Sequence, residues 1–271
     1  ILAEQKNIQF TELTVDSNGT IDAENLNEAI RQETALISLI SANNETGKLQ
    51  SIEELTKIAK QYQIPFHTDL TQAFGKIQLD LSKSRIDYAT ATAHKLGGPR
   101  GIGLLYVREG TPFQPLITGG KQERARRAGT ETVKLAVGFA NAVEWYLNNQ
   151  YKLREQFLIF RKSVLDEITK LDGIFINTDI KNSLPHTLNF GCDGISAESL
   201  LISLDMDGIA VSTGSACSSG AMEASHVLLA MGLSHADAKS SIRVSWGWST
   251  TQAEIDHFCA RLSHHIVRLK A

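Results

Sequence analysis

The sequence has few cysteines, no excess of positive charge and no stretch near the ~18 uninterrupted apolar residues that a membrane-crossing helix needs. Each shortage excludes something. The three cysteines are Cys192, Cys217 and Cys259. An odd, sparse set builds no disulfide framework, and none of the possible pairs has C-x-x-C spacing, so structural zinc is not expected. Sparse free thiols fit a reducing compartment, which predicts a cytoplasmic protein. The 27 basic side chains are outnumbered by 30 acidic ones, leaving a formal charge of −3. Nucleic-acid binding by phosphate neutralisation asks for the opposite balance, so no nucleic-acid partner and no membrane are expected. The opening residues, ILAEQKNIQF, lack the basic start and apolar run of a signal peptide. They also lack an initiator Met, which suggests a fragment or a processed chain. No internal repeat or low-complexity tract is visible.

What is present is an ordinary globular composition, 42% hydrophobic and 21% charged over 271 residues, enough to bury a core without staples. Strand and helix patterns alternate through the first half. Short strands are expected at 8–14, 35–40, 64–68, 86–92 and 103–107. The apolar run ALISLI at 35–40 reads as a strand buried on both faces. Asn18-Gly19 marks a turn. Helical spacing covers 22–31, and Ser51 with Glu54 forms a capping box ahead of Ile52, Leu55, Ile58 and Ala59. Strands separated by helices predict βαβ units and a mostly parallel sheet. The second half predicts two long helices, 131–148 and 151–171, then a strand at 186–190, a helix near 196–206, a strand at 241–245 and a last helix from Gln252 to Leu269. That order suits a smaller α+β domain.

Four segments carry residue types that packing does not ask for. Asn43-Asn44-Glu45-Thr46-Gly47 follows a buried strand, where ligands of open α/β sheets bind. Taken alone, the segment reads first as a plain polar strand-to-helix loop. In 66–76, FHTDLTQAFGK, Asp69 ends an apolar strand, with His67 two residues before it and Gln72 three after. The carboxylate is either a helix N-cap or a holder of a proton on a heterocyclic nitrogen. In 90–103, TATAHKLGGPRGIG, Lys95 follows a strand and precedes a glycine-rich turn that permits close approach. A lysine there suits imine formation, and a surface lysine beside a hairpin is the alternative. In 211–220, VSTGSACSSG, Cys217 stands among small residues that cannot enclose it in a core, so the segment reads as a loop exposing its thiol. Cys259 lies in a helix and Cys192 in a turn, and neither is expected to be catalytic. Arg124, Arg126 and Arg127 precede Gly129-Thr130, as a solvated loop or an anion-binding tip. Arg243, between Ile242 and Val244, suits pairing with a carboxylate.

Taken together, NNETG, FHTDLTQAFGK, AHKLGGPRG, RRAGTE and STGSACSS resemble, in order and spacing, the group I cysteine desulfurases, class V aminotransferases of the pyridoxal-phosphate (PLP) fold type I. The resemblance implies an α/β architecture with a mostly parallel central sheet, helices on both faces and a smaller α+β C-terminal domain. It divides the chain into a PLP-binding large domain at 1–135, N-terminally incomplete, and a connecting helix with the small domain at 136–271. It implies PLP-dependent removal of sulfur from L-cysteine, giving L-alanine and a persulfide on Cys217, the nucleophile. Lys95 would bond covalently to PLP and Asp69 would pair with the ring nitrogen. Gln72 and Asn44 would lie near the ring, and Thr92 and His94 would bind the phosphate. Thr130 would reach the cofactor of a second subunit, which implies a homodimer. Arg243 with Asn44 would hold the substrate carboxylate, and His67 would stand behind these groups. Partners would be a sulfur acceptor or iron–sulfur scaffold protein, and no metal is implied.

The sequence departs from the family pattern at Thr46, Gly97, Ala128 and Trp248, none of which removes a reactive group. It also begins after the family's upstream segment, which carries part of the phosphate cradle and a ring-stacking His. The isolated chain is therefore expected to bind PLP weakly or not at all. Alternatives are another fold type I enzyme, such as a selenocysteine lyase or an aminotransferase, or an inactive truncated form. Replacing Cys217 with Ser separates a desulfurase from a transaminase.

Overall fold

The computed structural model describes residues 8–214 and 223–270. The chain forms two compact units, one of Thr34–Ala42 with Ile52–Arg154, the other of Ile1–Glu33, Asn43–Ser51 and Glu155–Ala271.

The first of these holds strands β1 (Ile37–Ile40), β2 (Phe66–Asp69), β3 (Tyr88–Thr92) and β4 (Gly103–Val107), hydrogen-bonded in that order. β1, β2 and β3 run parallel, and β4 returns antiparallel to β3. Helix α2 (Ile52–Gln61) connects β1 to β2 and buries Leu55, Thr56 and Ala59. Glu53 and Glu54 in its first turn and Lys60 in its last complement the helix dipole. β2 and β3 alternate in burial, with Phe66, Thr68, Ala89 and Ala91 turned to the core and His67, Asp69, Thr90 and Thr92 to the other face. β1 does not match the expectation of burial on both faces. Ile37 is buried but Ser38 is exposed, and β1 is an end strand among the described strands of this sheet.

The other unit holds the antiparallel sheet β5-β6-β8-β7, from Ile174–Ile176, Thr187–Cys192, Ser241–Ser245 and Ser212–Thr213. All of β6 is buried, as suits an inner strand covered on both faces. Helices α1 (Ala23–Ala29), α4 (Ala197–Met206), α5 (His226–Ala230), α6 (His235–Lys239) and α7 (Gln252–Lys270) belong to it. Leu200 and Leu204 of α4 and Leu262 and Ile266 of α7 are buried, forming part of its core.

Two further expectations are corrected. Residues 8–14 form no strand; only Val15 and Ile21 pair, across a turn in which Asp16 Oδ1 accepts the N–H groups of Asn18 and Thr20. The two long helices are one, α3 (Val133–Ile168). Asn148, Asn149 and Gln150 resemble a break, but each costs a helix only ~0.7 kcal/mol or less, and neither Gly nor Pro stands among them. Asn149 Nδ2 donates to the Trp145 carbonyl 2.8 Å away, within the helix.

Candidate active site

The first cluster follows from strand direction. β2 and β3 are parallel neighbours with Asp69 paired to Thr90, so their carboxyl ends reach the same edge of the sheet. Asp69 closes β2, and Oδ1 accepts the Thr71 N–H at 2.7 Å, starting the turn that carries half-buried Gln72. Thr92 closes β3, and the chain goes straight into a single 3₁₀ turn, Ala93–Leu96, bearing His94 and Lys95. Ala93 and Leu96 are buried, which leaves His94 and Lys95 on the exposed side of the turn. Gly97 ends it with φ +74°, a left-handed conformation that a side chain would strain. Gly103 opens β4 so close to β3 that a Cβ there would sit 2.8 Å from the Ala91 carbonyl oxygen. The glycines thus hold the Lys95 turn against the strand end.

Around this edge the polar groups are tied together. Thr92 Oγ1 is 2.9 Å from His94 Nδ1. His67 shares a face with Asp69, and its Nδ1 is 2.8 Å from Ser38 Oγ while its Nε2 is 3.3 Å from Thr90 Oγ1. Burial pushes the His67 imidazole below its ordinary value, against the pull of the Asp69 charge, so it is neutral near pH 7. Lys76, seven residues past Asp69, is pushed down to about 8 by burial and then by the positive charge of Lys95. Two amines near enough to repel, with Thr92 and His94 beside one of them, suit an anionic, carbonyl-bearing ligand. The residues therefore fit PLP: Lys95 for its aldehyde, Thr92 and His94 for its phosphate, and Asp69 for its ring nitrogen. Thr130 is exposed and follows Gly129, whose φ is +107°.

The second cluster lies wholly in the other unit. Arg243, on β8 opposite Asn189 of β6 and Ser212 of β7, donates from Nη1 to the Asn44 carbonyl oxygen at 2.9 Å. The structure thus brings Arg243 and Asn44 together through the Asn44 backbone. The 43–49 segment is pinned to this unit along its length. Asn43 Oδ1 accepts the N–H groups of Glu45 and Thr46, Thr178 Oγ1 donates to the Thr46 carbonyl, and Lys48 pairs with Asp179 at 2.7 Å. Cys217 lies outside the described residues. Cys192 ends β6, buried. Burial, with the charges of Glu167 and Asp256, pushes the Cys259 thiol up to about 11, far from a thiolate at neutral pH.

Three residues carried no separate sequence argument. Lys76 ended a quoted motif, but sequence gives no sign of its burial. Glu45 reads in sequence as part of a polar loop, and the structure leaves it 3% exposed, accepting a hydrogen bond from Ser225. Ser225 itself had no signal, because the contact spans 180 positions.

The sequence matches the family model described as aminotransferase class-V over residues 1–258. It is 40% identical to the cysteine desulfurase IscS of Dictyoglomus turgidum, over 98% of this chain and 68% of that protein. Among solved structures, a NifS-like protein is similar with a TM-score of 0.90 and 34% identity, covering 97% of this chain and 70% of that one. A structure described as SspA in complex with cysteine is similar with a TM-score of 0.74 and 34% identity, covering 90% and 68%.

Proposed function

This chain belongs to the class-V aminotransferases and, within them, to the PLP-dependent cysteine desulfurases, and from that premise we propose how its residues divide the work. Lys95 would hold the cofactor through its amine and would move the proton at the substrate Cα. Asp69 holds the proton on the ring nitrogen. Gln72 would contact the ring, and the family resemblance gives Asn44 a role toward the ring and the substrate. Thr92 and His94 hold the phosphate together with Thr130 of a second copy, which makes the protein a homodimer. Arg243, already oriented on the Asn44 carbonyl, takes the carboxylate of L-cysteine, since a guanidinium matches a carboxylate in shape and charge. PLP, when bound, supplies an electron sink that weakens the Cβ–S bond of the substrate.

Cys217, as thiolate, attacks the substrate sulfur. The S–Cβ bond breaks, its electron pair passes to Cβ, a proton follows, and alanine leaves while Cys217 keeps the sulfur as a persulfide. The sulfur then goes to an acceptor thiol on a partner protein, in iron–sulfur cluster assembly or thio-modification. We take the cytoplasm as its compartment, since sparse cysteines suit a reducing environment. No helix among the described residues is long and apolar enough to cross a membrane.

The observation that carries the assignment is the placement of Asp69 and the Thr92–Lys95 turn at the carboxyl ends of adjacent parallel strands. The test is mass spectrometry after incubation with L-cysteine. The peptide holding Cys217 gains one sulfur atom, and Cys217→Ser stops sulfur release while PLP stays bound. Transamination that survives Cys217→Ser unchanged, with no sulfur gained, identifies an aminotransferase instead.

A further inference from the structure

The geometry points to Gln150 as a positioning residue for Lys95, acting through the Gly75 turn. Helix α3 carries Gly138, Ala142, Tyr146 and Gln150 four residues apart, which puts them in a row on one face. That row runs along the two turns that carry Lys76 and Lys95. A Cβ added to Gly138 would stand 3.1 Å from Pro99 Cγ, and one added to Gly98 would stand 3.2 Å from Ala142 Cβ. One added to Gly75 would stand 3.7 Å from Tyr146 Cβ and 3.1 Å from Leu96 Cδ2. Gly75 therefore lies between α3 and the side chain that follows Lys95. At the end of the row, Gln150 Nε2 donates to the Gly75 carbonyl oxygen at 2.9 Å. All of these residues belong to one unit.

The bond matters because close packing gives out beside it. Phe74, Gly75, Val143, Leu147 and Gln150 border a cavity of about 660 Å³, so on that flank the Gly75 turn is not held by a close-packed side chain among the described residues. Gln150 is half-buried, and its directional bond fixes the carbonyl where packing does not. The same turn joins Gln72 to Lys76, and the charge of Lys95 acts on the Lys76 amine, so the two turns are neighbours in space. Leu96 lies on the buried side of the single 3₁₀ turn whose exposed side bears His94 and Lys95. Holding Gly75 against Leu96 thus fixes the rotation of that turn and the direction in which the Lys95 side chain leaves it. An amine held on line reacts faster than one that must search, and a small misplacement erodes that advantage.

This inference rests on Lys95 being the residue that holds PLP. The test uses the full-length protein, stripped of PLP and then given it back. Gln150→Met and Gln150→Glu keep the length of the side chain and remove its donor. Leu96→Ala removes the contact through which the bond acts, and Leu147→Ala alters the same helix off the row. Samples are quenched with borohydride, and the pyridoxyl group is located by peptide mass spectrometry. Labelling of Lys95 is expected to slow about tenfold in both Gln150 variants, with kcat for sulfur release falling by a similar factor and KM for L-cysteine unchanged. Leu147→Ala labels at the wild-type rate. Gln150→Met combined with Leu96→Ala is no slower than the slower single variant, because the two act in one chain of contacts. Wild-type labelling in either Gln150 variant, an equal loss in Leu147→Ala, or losses that multiply in the double variant overturn the positioning role. A pyridoxyl group on another residue of the wild type overturns the underlying reading instead, before any variant is compared.

Discussion

At the scale of single residues, burial of Lys76 sets up a measurable titration. Its amine falls from the ordinary 10.5 to about 8. Folding thus favours the neutral form, and the cost of burying the charge is fully present below about pH 8. Between about 8 and 10.5 the unfolded chain binds the extra proton, so stability should rise with pH. Above 10.5 both states are neutral and the cost is gone. Lys76→Met removes this linkage. Urea unfolding across that window should show the wild type gaining on the variant by up to about 3 kcal/mol, since each pKa unit is worth ~1.4 kcal/mol. Parallel curves for the two proteins would mean that Lys76 titrates like a solvated lysine. Its position next to Lys95 electrostatically was not legible in sequence, because burial depends on what the fold places over a side chain.

Among the elements, the 43–49 segment shows how a short polar stretch becomes architecture. It was legible in sequence as a polar loop after a strand, and its ligand-facing location follows from the strand rule. That it lies on the antiparallel unit was not legible, because the bonds joining it to Thr178, Asp179 and Ser183 span more than a hundred positions. The Lys48–Asp179 pair, with side chains 5% and 15% exposed, is the ionic member of that set. The hydrogen bond from Lys48 holds the Asp179 carboxyl below the usual carboxylate range. Its contribution is present above the unfolded pKa of ~3.9 and is lost as pH falls through the lower folded value. Asp179→Asn should therefore destabilise the protein by about 3 kcal/mol at pH 7, because it leaves a buried ammonium without its counter-charge. The deficit should shrink in acid, as chemical denaturation at pH 7 and pH 3 will show. The α3 helix makes the same point about range. Two helices were expected with a gap at 149–150, and local propensity there is too weak to impose one.

For the molecule as a whole, the alternation of strands and helices made a parallel sheet legible, and β4 and β8 begin and end where the sequence placed them. The chemistry was legible because it sits at strand ends and glycine turns, where residue type is dictated by backbone rather than by packing. Asp69 and Lys95 were singled out that way, while the roles of Thr92 and His94 came from the family resemblance. Glu45 and Ser225 were not, since their hydrogen bond depends on how distant segments pack. The chain spans about two thirds of the length of the desulfurases it matches, 68% of the Dictyoglomus turgidum protein.

Lys76 and Lys95 are the two candidate amines for the proposed cofactor's aldehyde. Lys76, its amine pushed down to about 8, is half-buried, whereas Lys95 is exposed on its turn beside Thr92 and His94. Borohydride reduction of the PLP-loaded protein, followed by peptide mass spectrometry, decides between them. Reduction should leave the pyridoxyl group on Lys95. A label on Lys76, on any other side chain, or on none would contradict the assignment from which the rest of the mechanism is built.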